Sequence, residues 1–179
     1  MKRYIALLRG VNVSGKNQVA MADLKEGFLS LGFAEVLTHL NSGNVIFSAA
    51  GTEEPVLAGS IRNMIQDRFA LDIPVFIIAQ ADLAHLLSLA PDWWGTEDKA
   101  IYDNLVFPIP PADAGEVAAK IGEPTAGLER ICICENAVFW SFDRKRYAKA
   151  NWWKKTASAG IGGLITIRTA STLRKIAGM

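Results

Sequence analysis

The sequence predicts an α+β protein built of duplicated ferredoxin-like (split βαβ) units, each an antiparallel sheet covered by helices. Three observations carry this expectation. Hydrophobic periods follow the order βαββαβ over residues 1–80, a weaker echo of that order fills 81–179, and no low-complexity linker separates them. The expected domains are a first βαββαβ unit at 1–80 and a second, diverged unit at 81–179 with a basic C-terminal helical tail.

Tyr4 to Leu8 is a continuous apolar run of strand length, followed by a Gly/Asn loop. Met21, Leu24, Phe28 and Leu31 then recur at helical spacing, and Gly32 supplies a stop. Phe33 to Leu40 alternates as a strand, Asn41-Ser-Gly-Asn44 has the composition of a tight turn, and Val45 to Phe47 returns as its partner. Leu57, Ile61, Met64, Ile65 and Phe69 mark a second helix, ended before Pro74, and Val75 to Ile78 is the fourth strand.

In the second half, Leu83 to Ala90 reads as a helix and Ile101 to Phe107 as a strand closed by prolines. Val117 to Ile121 reads as another helix, and Leu128 to Cys134 pairs with Ala137 to Phe142 through Glu135-Asn136. Helical segments are expected near 144–150 and 169–177, so that the second copy lacks or replaces its final strand.

A chain of 179 residues, half apolar and with a net charge of +1, fits a globular protein. The apolar run that ends at Arg9 is too short for a secretory h-region or a membrane span, so a cytoplasmic protein without a membrane partner is expected. Cys132 and Cys134 lack the redox C-x-x-C spacing and have no further cysteines for a metal quartet; they are expected to be buried small hydrophobes. No metal motif, nucleophile elbow or paired-carboxylate site stands out, and the chain specifies neither a cofactor nor an oligomeric state.

Gly10-Val-Asn-Val-Ser-Gly15-Lys16-Asn17 differs from a P-loop only where the Mg²⁺-ligating hydroxyl is replaced by Asn17. The helix also begins late, near Met21, and no acid closes a Walker-B strand, since Asp82 reads as a helix N-terminal residue. These departures argue against nucleotide hydrolysis and leave two readings: a plain turn, or a loop that binds an anion. The split-βαβ order puts residues 10–20 and the Asn41–Asn44 turn on one edge of the sheet. Arg9, Asn12, Gly15, Lys16, Asn17, Asn41, Ser42 and Asn44 would then surround a small anionic ligand, phosphate-bearing above all, with donors. The asparagines also serve as ordinary turn formers.

Ala6-Leu-Leu-Arg-Gly-Val-Asn-Val-Ser-Gly-Lys-Asn17, with Met21-Ala-Asp-Leu24, Leu31-Gly-Phe33 and Asn41-Ser-Gly-Asn-Val45, closely resembles the bacterial family called domain of unknown function 1697. The resemblance implies a pair of ferredoxin-like units and no known reaction. It thins in the second half: Thr166, Arg168, Thr172 and Lys175 fit the family's tail pattern, whereas Thr169, Ala170 and Ser171 depart from it.

No acidic residue follows Asp143, while Arg144, Lys145, Arg146, Lys149, Lys154 and Lys155 do. With Trp152 among them, these residues carry an alternative expectation, a nucleic-acid-associated protein using the basic tail. A duller reading packs one tryptophan of each pair, Trp93-Trp94 and Trp152-Trp153, against the core. His39 and His85 show no ligand spacing. Whether the protein is an enzyme, such as a transferase or hydrolase acting on the anion, stays open from the sequence.

Overall fold

A computed structural model describes the backbone of residues 1–179 and every side chain except that of Ala159. The class is α+β, with two four-stranded antiparallel sheets and seven α-helices among the described residues. The chain divides into two compact units, residues 1–84 with 176–179, and residues 85–175.

In the first unit the order is β1 (Lys2–Leu8), α1 (Met21–Ser30), β2 (Ala34–His39), β3 (Asn44–Ala49), α2 (Glu54–Phe69) and β4 (Val75–Ala79), with α3 (Gln80–Ser88) following. The strands lie in the order β2-β3-β1-β4, all neighbours antiparallel. Tyr4, Ala6 and Leu8 share a core with Leu24 and Phe28 of α1, Phe47 of β3 and Ile61 and Ile65 of α2. Ile5 and Leu7 are equally buried, which is why β1 reads as an unbroken apolar run rather than an alternation. Gly27 lets α1 approach α2, because a Cβ there would collide with the Met64 thioether. Strand β2 carries a bulge between Ala34 and Leu37, where Glu35 has a φ of 51° and accepts hydrogen bonds from Ser48 and Arg3. An edge interrupted in this way is a poor template for another strand.

The second unit runs β5 (Ile101–Pro108), α4 (Ala114–Ile121), β6 (Glu129–Cys134), β7 (Ala137–Asp143), α5 (Asn151–Thr156), α6 (Ala159–Gly162), β8 (Ile165–Thr169) and α7 (Ala170–Ala177). Its strand order, β6-β7-β5-β8, is that of the first sheet element for element. The expectation that the second copy lacks or replaces its final strand is thus corrected: Ile165–Thr169 pairs antiparallel with β5. That strand is only five residues long and follows a glycine-rich stretch, so its period is too short to register. The helix expected over 144–150 is also displaced. Asp143 accepts the backbone N–H groups of Lys145 and Arg146, a local bond that competes with a helical turn. Only a 3₁₀ turn at Tyr147–Lys149 precedes α5.

Tertiary wiring in this unit centres on Glu129, which is 6 % exposed. Its carboxylate accepts the N–H groups of Asn151 (2.8 Å) and Trp152 (3.0 Å) at the start of α5, the N–H of Thr125 (2.9 Å) and the Trp140 indole N–H (3.2 Å). Ala150 at the N-cap of α5 offers no side-chain bond, so Glu129 caps that helix from a neighbouring strand.

Candidate functional site

The near-P-loop folds as a miniature hairpin. The Lys16 N–H donates to the Val13 carbonyl at 2.9 Å and the Asn12 N–H to the Asn17 carbonyl at 3.1 Å. Ser14 and Gly15 at its tip have φ of 50° and 76°, the positive values a type I′ turn requires at both central positions. A phosphate-binding loop needs backbone N–H groups that converge on the ligand, and here those of Asn12 and Lys16 are committed to the hairpin. The spelling therefore encodes a turn in which two of the loop's N–H groups are already closed on its own carbonyls.

The hairpin does meet the Asn41–Asn44 turn. Asn12 spends both amide hydrogens within the chain, on Asn41 O at 2.9 Å and Val19 O at 2.8 Å, and its Oδ1 accepts the Val19 N–H at 2.8 Å. Leu8 N–H donates to Gly43 O at 2.9 Å. Asn44 is fully buried, with its amide on His39 O and Ser42 Oγ. The expectation that Asn12 and Asn44 donate to a ligand is corrected on this geometry, since both brace the backbone. Asn17 bonds Gly10 O with its amide at 3.0 Å and is exposed, as are Gly15 and Asn41; Ser42 is half-buried and accepts from Asn44. Between hairpin and turn lies an open depression of about 410 Å³, lined by Asn12, Gly15, Gln18, Val19, Ala20, Met21 and Asn41. Gln18 is the polar group there that sequence reasoning missed; nothing in its spacing marks it.

Arg9 precedes the hairpin and Lys16 lies within it. Lys16 is exposed. Arg9 follows β1, with its N–H on Pro74 O at 3.0 Å, and burial alone lowers its guanidinium pKa from the ordinary value. Among the described residues no ion pair or side-chain hydrogen bond engages either cation. A half-buried cation without a counter-charge has lost hydration that nothing in its surroundings replaces.

The basic segment of the second unit differs from expectation at one residue. Trp152 is fully buried, its indole N–H on Gly122 O at 2.9 Å, and is corrected from a nucleic-acid contact to a core residue. Helix periodicity puts Trp153 about 100° further round, and it is 42 % exposed. Trp94 is likewise the buried member of its pair, bonded to Asn104 O at 2.7 Å. Arg144, Lys145, Arg146, Lys149, Lys154 and Lys155 are all exposed, but Arg146 is paired with Asp143 at 2.7 Å. Hydrogen bonds from Arg146 hold the Asp143 carboxyl below the usual carboxylate range.

Cys132 and Cys134 lie half-buried on the edge strand β6, which corrects the expectation of buried small hydrophobes; desolvation, then Glu135, raises the Cys134 thiol pKa. His85 faces Glu135 at 3.5 Å. Among the described residues no group of three or more His, Cys, Asp or Glu is placed to hold a metal ion, and no helix is long and apolar enough to cross a membrane.

A family model described as "Protein of unknown function (DUF1697)" matches residues 1–139. Among solved structures the chain is similar to "conserved bacterial protein SP0830 from Streptococcus pneumoniae", with 26 % identity, a TM-score of 0.85, and coverage of 99 % of this chain and 97 % of that one. A search of curated proteins finds no match.

Proposed function

Because the chain belongs to the DUF1697 family, whose description assigns no reaction, we propose its function from the site itself: binding of a phosphate-bearing or other small anion beside the hairpin at residues 10–17, in a cytoplasmic protein. The observation that supports this reading is Arg9, desolvated and without an acidic partner at the start of a braced loop. An anion would replace the lost hydration with charge-assisted hydrogen bonds, and Lys16 would add a second, screened attraction. Gln18 and Asn41, which line the adjoining depression, would add neutral donors.

Removing an unpaired, partly desolvated cation does not weaken a fold that gains nothing from it. Ligand-free Arg9→Met is therefore expected to melt at or slightly above the wild-type temperature, and to lose the stabilisation that phosphate, sugar phosphates, nucleotides or polyphosphate give the wild type. Lys16→Ala is expected to weaken the same ligand about fivefold with no change in melting temperature, as for one exposed charge worth about 1 kcal/mol. Thermal-shift and calorimetric titrations read both effects; equal anion responses in wild type and Arg9→Met would refute the site. Multiple turnover that disappears with Arg9 or Lys16 would extend the reading to a transferase or hydrolase.

A second reading, nucleic-acid association through the basic tail, is favoured by the exposed Trp153 beside unpaired lysines.

A further inference from the structure

We propose that the second unit carries a stacking platform for single-stranded nucleic acid, an inference that rests on this second reading and specifies its ligand and geometry. Four rings form a continuous row. Tyr102 lies 5.4 Å from Phe142, Phe142 lies 5.4 Å from Trp153, and Trp153 meets Tyr147 edge to face at 4.9 Å. The row is rooted in the core, where Phe142 also packs on Trp140 at 4.8 Å, and it ends at the surface. Tyr147 and Trp153 are 44 % and 42 % exposed.

Charge selects the occupant. The Arg144 guanidinium stacks over Tyr102 at 4.8 Å, and Lys145, Lys149 and Lys154, which flank Tyr147 and Trp153 in the chain, are exposed with no ion pair among the described residues. Of the neighbouring acids, Asp143 is paired with Arg146 and the buried Glu129 is turned inward to cap α5, while Glu123 stays exposed beside the start of that helix. Exposed rings in a segment rich in exposed cations match a polymer that alternates flat bases with phosphates. A base pair inside a duplex hides its faces, so the platform is specific for the unpaired strand.

The test uses a fluorescently labelled deoxythymidine homopolymer and the full-length protein. Binding is expected to fall with salt at a log–log slope of about −3, as for roughly four phosphate contacts on a single strand. Trp153→Ala is expected to weaken it about tenfold at fixed salt while leaving that slope unchanged; Trp153→Phe should recover most of the loss. Tyr147→Ala repeats the test at a residue outside the α-helices, and thermal melts confirm that each variant is folded. Lys149→Gln with Lys154→Gln is expected to flatten the slope. If the lysine variant weakens binding while both aromatic variants leave it intact, or if polyphosphate of equal charge binds as tightly, the platform is overturned and association by charge alone remains. Absence of any salt-dependent binding overturns both the platform and the reading beneath it.

Discussion

Glu129→Ala is expected to destabilise the second unit by about 3 kcal/mol or more. Its carboxylate is the acceptor for three backbone N–H groups and one indole N–H, all reached from a residue that is 6 % exposed. Truncation leaves those donors in a site that water enters poorly, and each stranded buried group costs about 1–3 kcal/mol. It also uncaps α5, so the fully buried Trp152 beside the cap loses its anchor. Urea unfolding followed by tryptophan fluorescence should show an earlier midpoint and a red-shifted native spectrum. Glu129→Gln is expected to help little, because its amide NH₂ would turn donors toward donors. A loss below about 1 kcal/mol in the alanine variant would mean that solvent replaces the carboxylate and that the cap is dispensable.

Gly43→Ala is the second large effect, expected at about 2–5 kcal/mol. Gly43 has a φ of 74°, and an added Cβ would stand 2.7 Å from Leu8 Cβ and 3.4 Å from Val11 Cβ. Leu8 and Val11 are each 1 % exposed, and Cβ atoms so close to the backbone cannot rotate away. The cost combines a left-handed backbone, about 1–2 kcal/mol, with overpacking of about 1–3 kcal/mol. Gly32→Ala separates the two, since Gly32 has a φ of 81° but nothing within 4 Å of the new carbon. The difference between the two variants in thermal unfolding reads the contact alone. Because the clash lies where the turn touches β1 and the hairpin, Gly43→Ala should also impair anion binding. Equal losses at Gly32 and Gly43 would show that the two segments are loosely apposed.

Elements with a long period and a strong stop were legible in the chain. The stripe of α1 before Gly32, the stripe of α2 before Pro74, and the β6–β7 hairpin about Glu135-Asn136 all occur as read. What escaped was short or held by distant partners. Strand β8 is too brief for alternation to accumulate, and α5 owes its start to a carboxylate more than twenty residues earlier in the chain. The candidate site shows the same division. Topology alone places the 10–17 loop beside the Asn41–Asn44 turn, because both follow upward strands of one sheet. Local spelling, by contrast, cannot distinguish a nest of open N–H groups from a hairpin that has closed them; that choice lies in the positive φ of Ser14 and in the side chain of Asn12. Burial of Trp152 rather than Trp153 is likewise a matter of helix phase, which a six-residue helix fixes only through its tertiary cap.

Asn12 engages Val19 as one strand residue engages another, donating to its carbonyl and accepting from its N–H, and adds a third bond to Asn41. Asn17 closes the other side on Gly10. Thus the loop is ordered by the same event that folds the sheet, and an arriving ligand meets walls whose conformational entropy is already lost. Association should then proceed without a slow ordering phase, and amide exchange at Val19 and Lys16 should be as slow before the ligand binds as after.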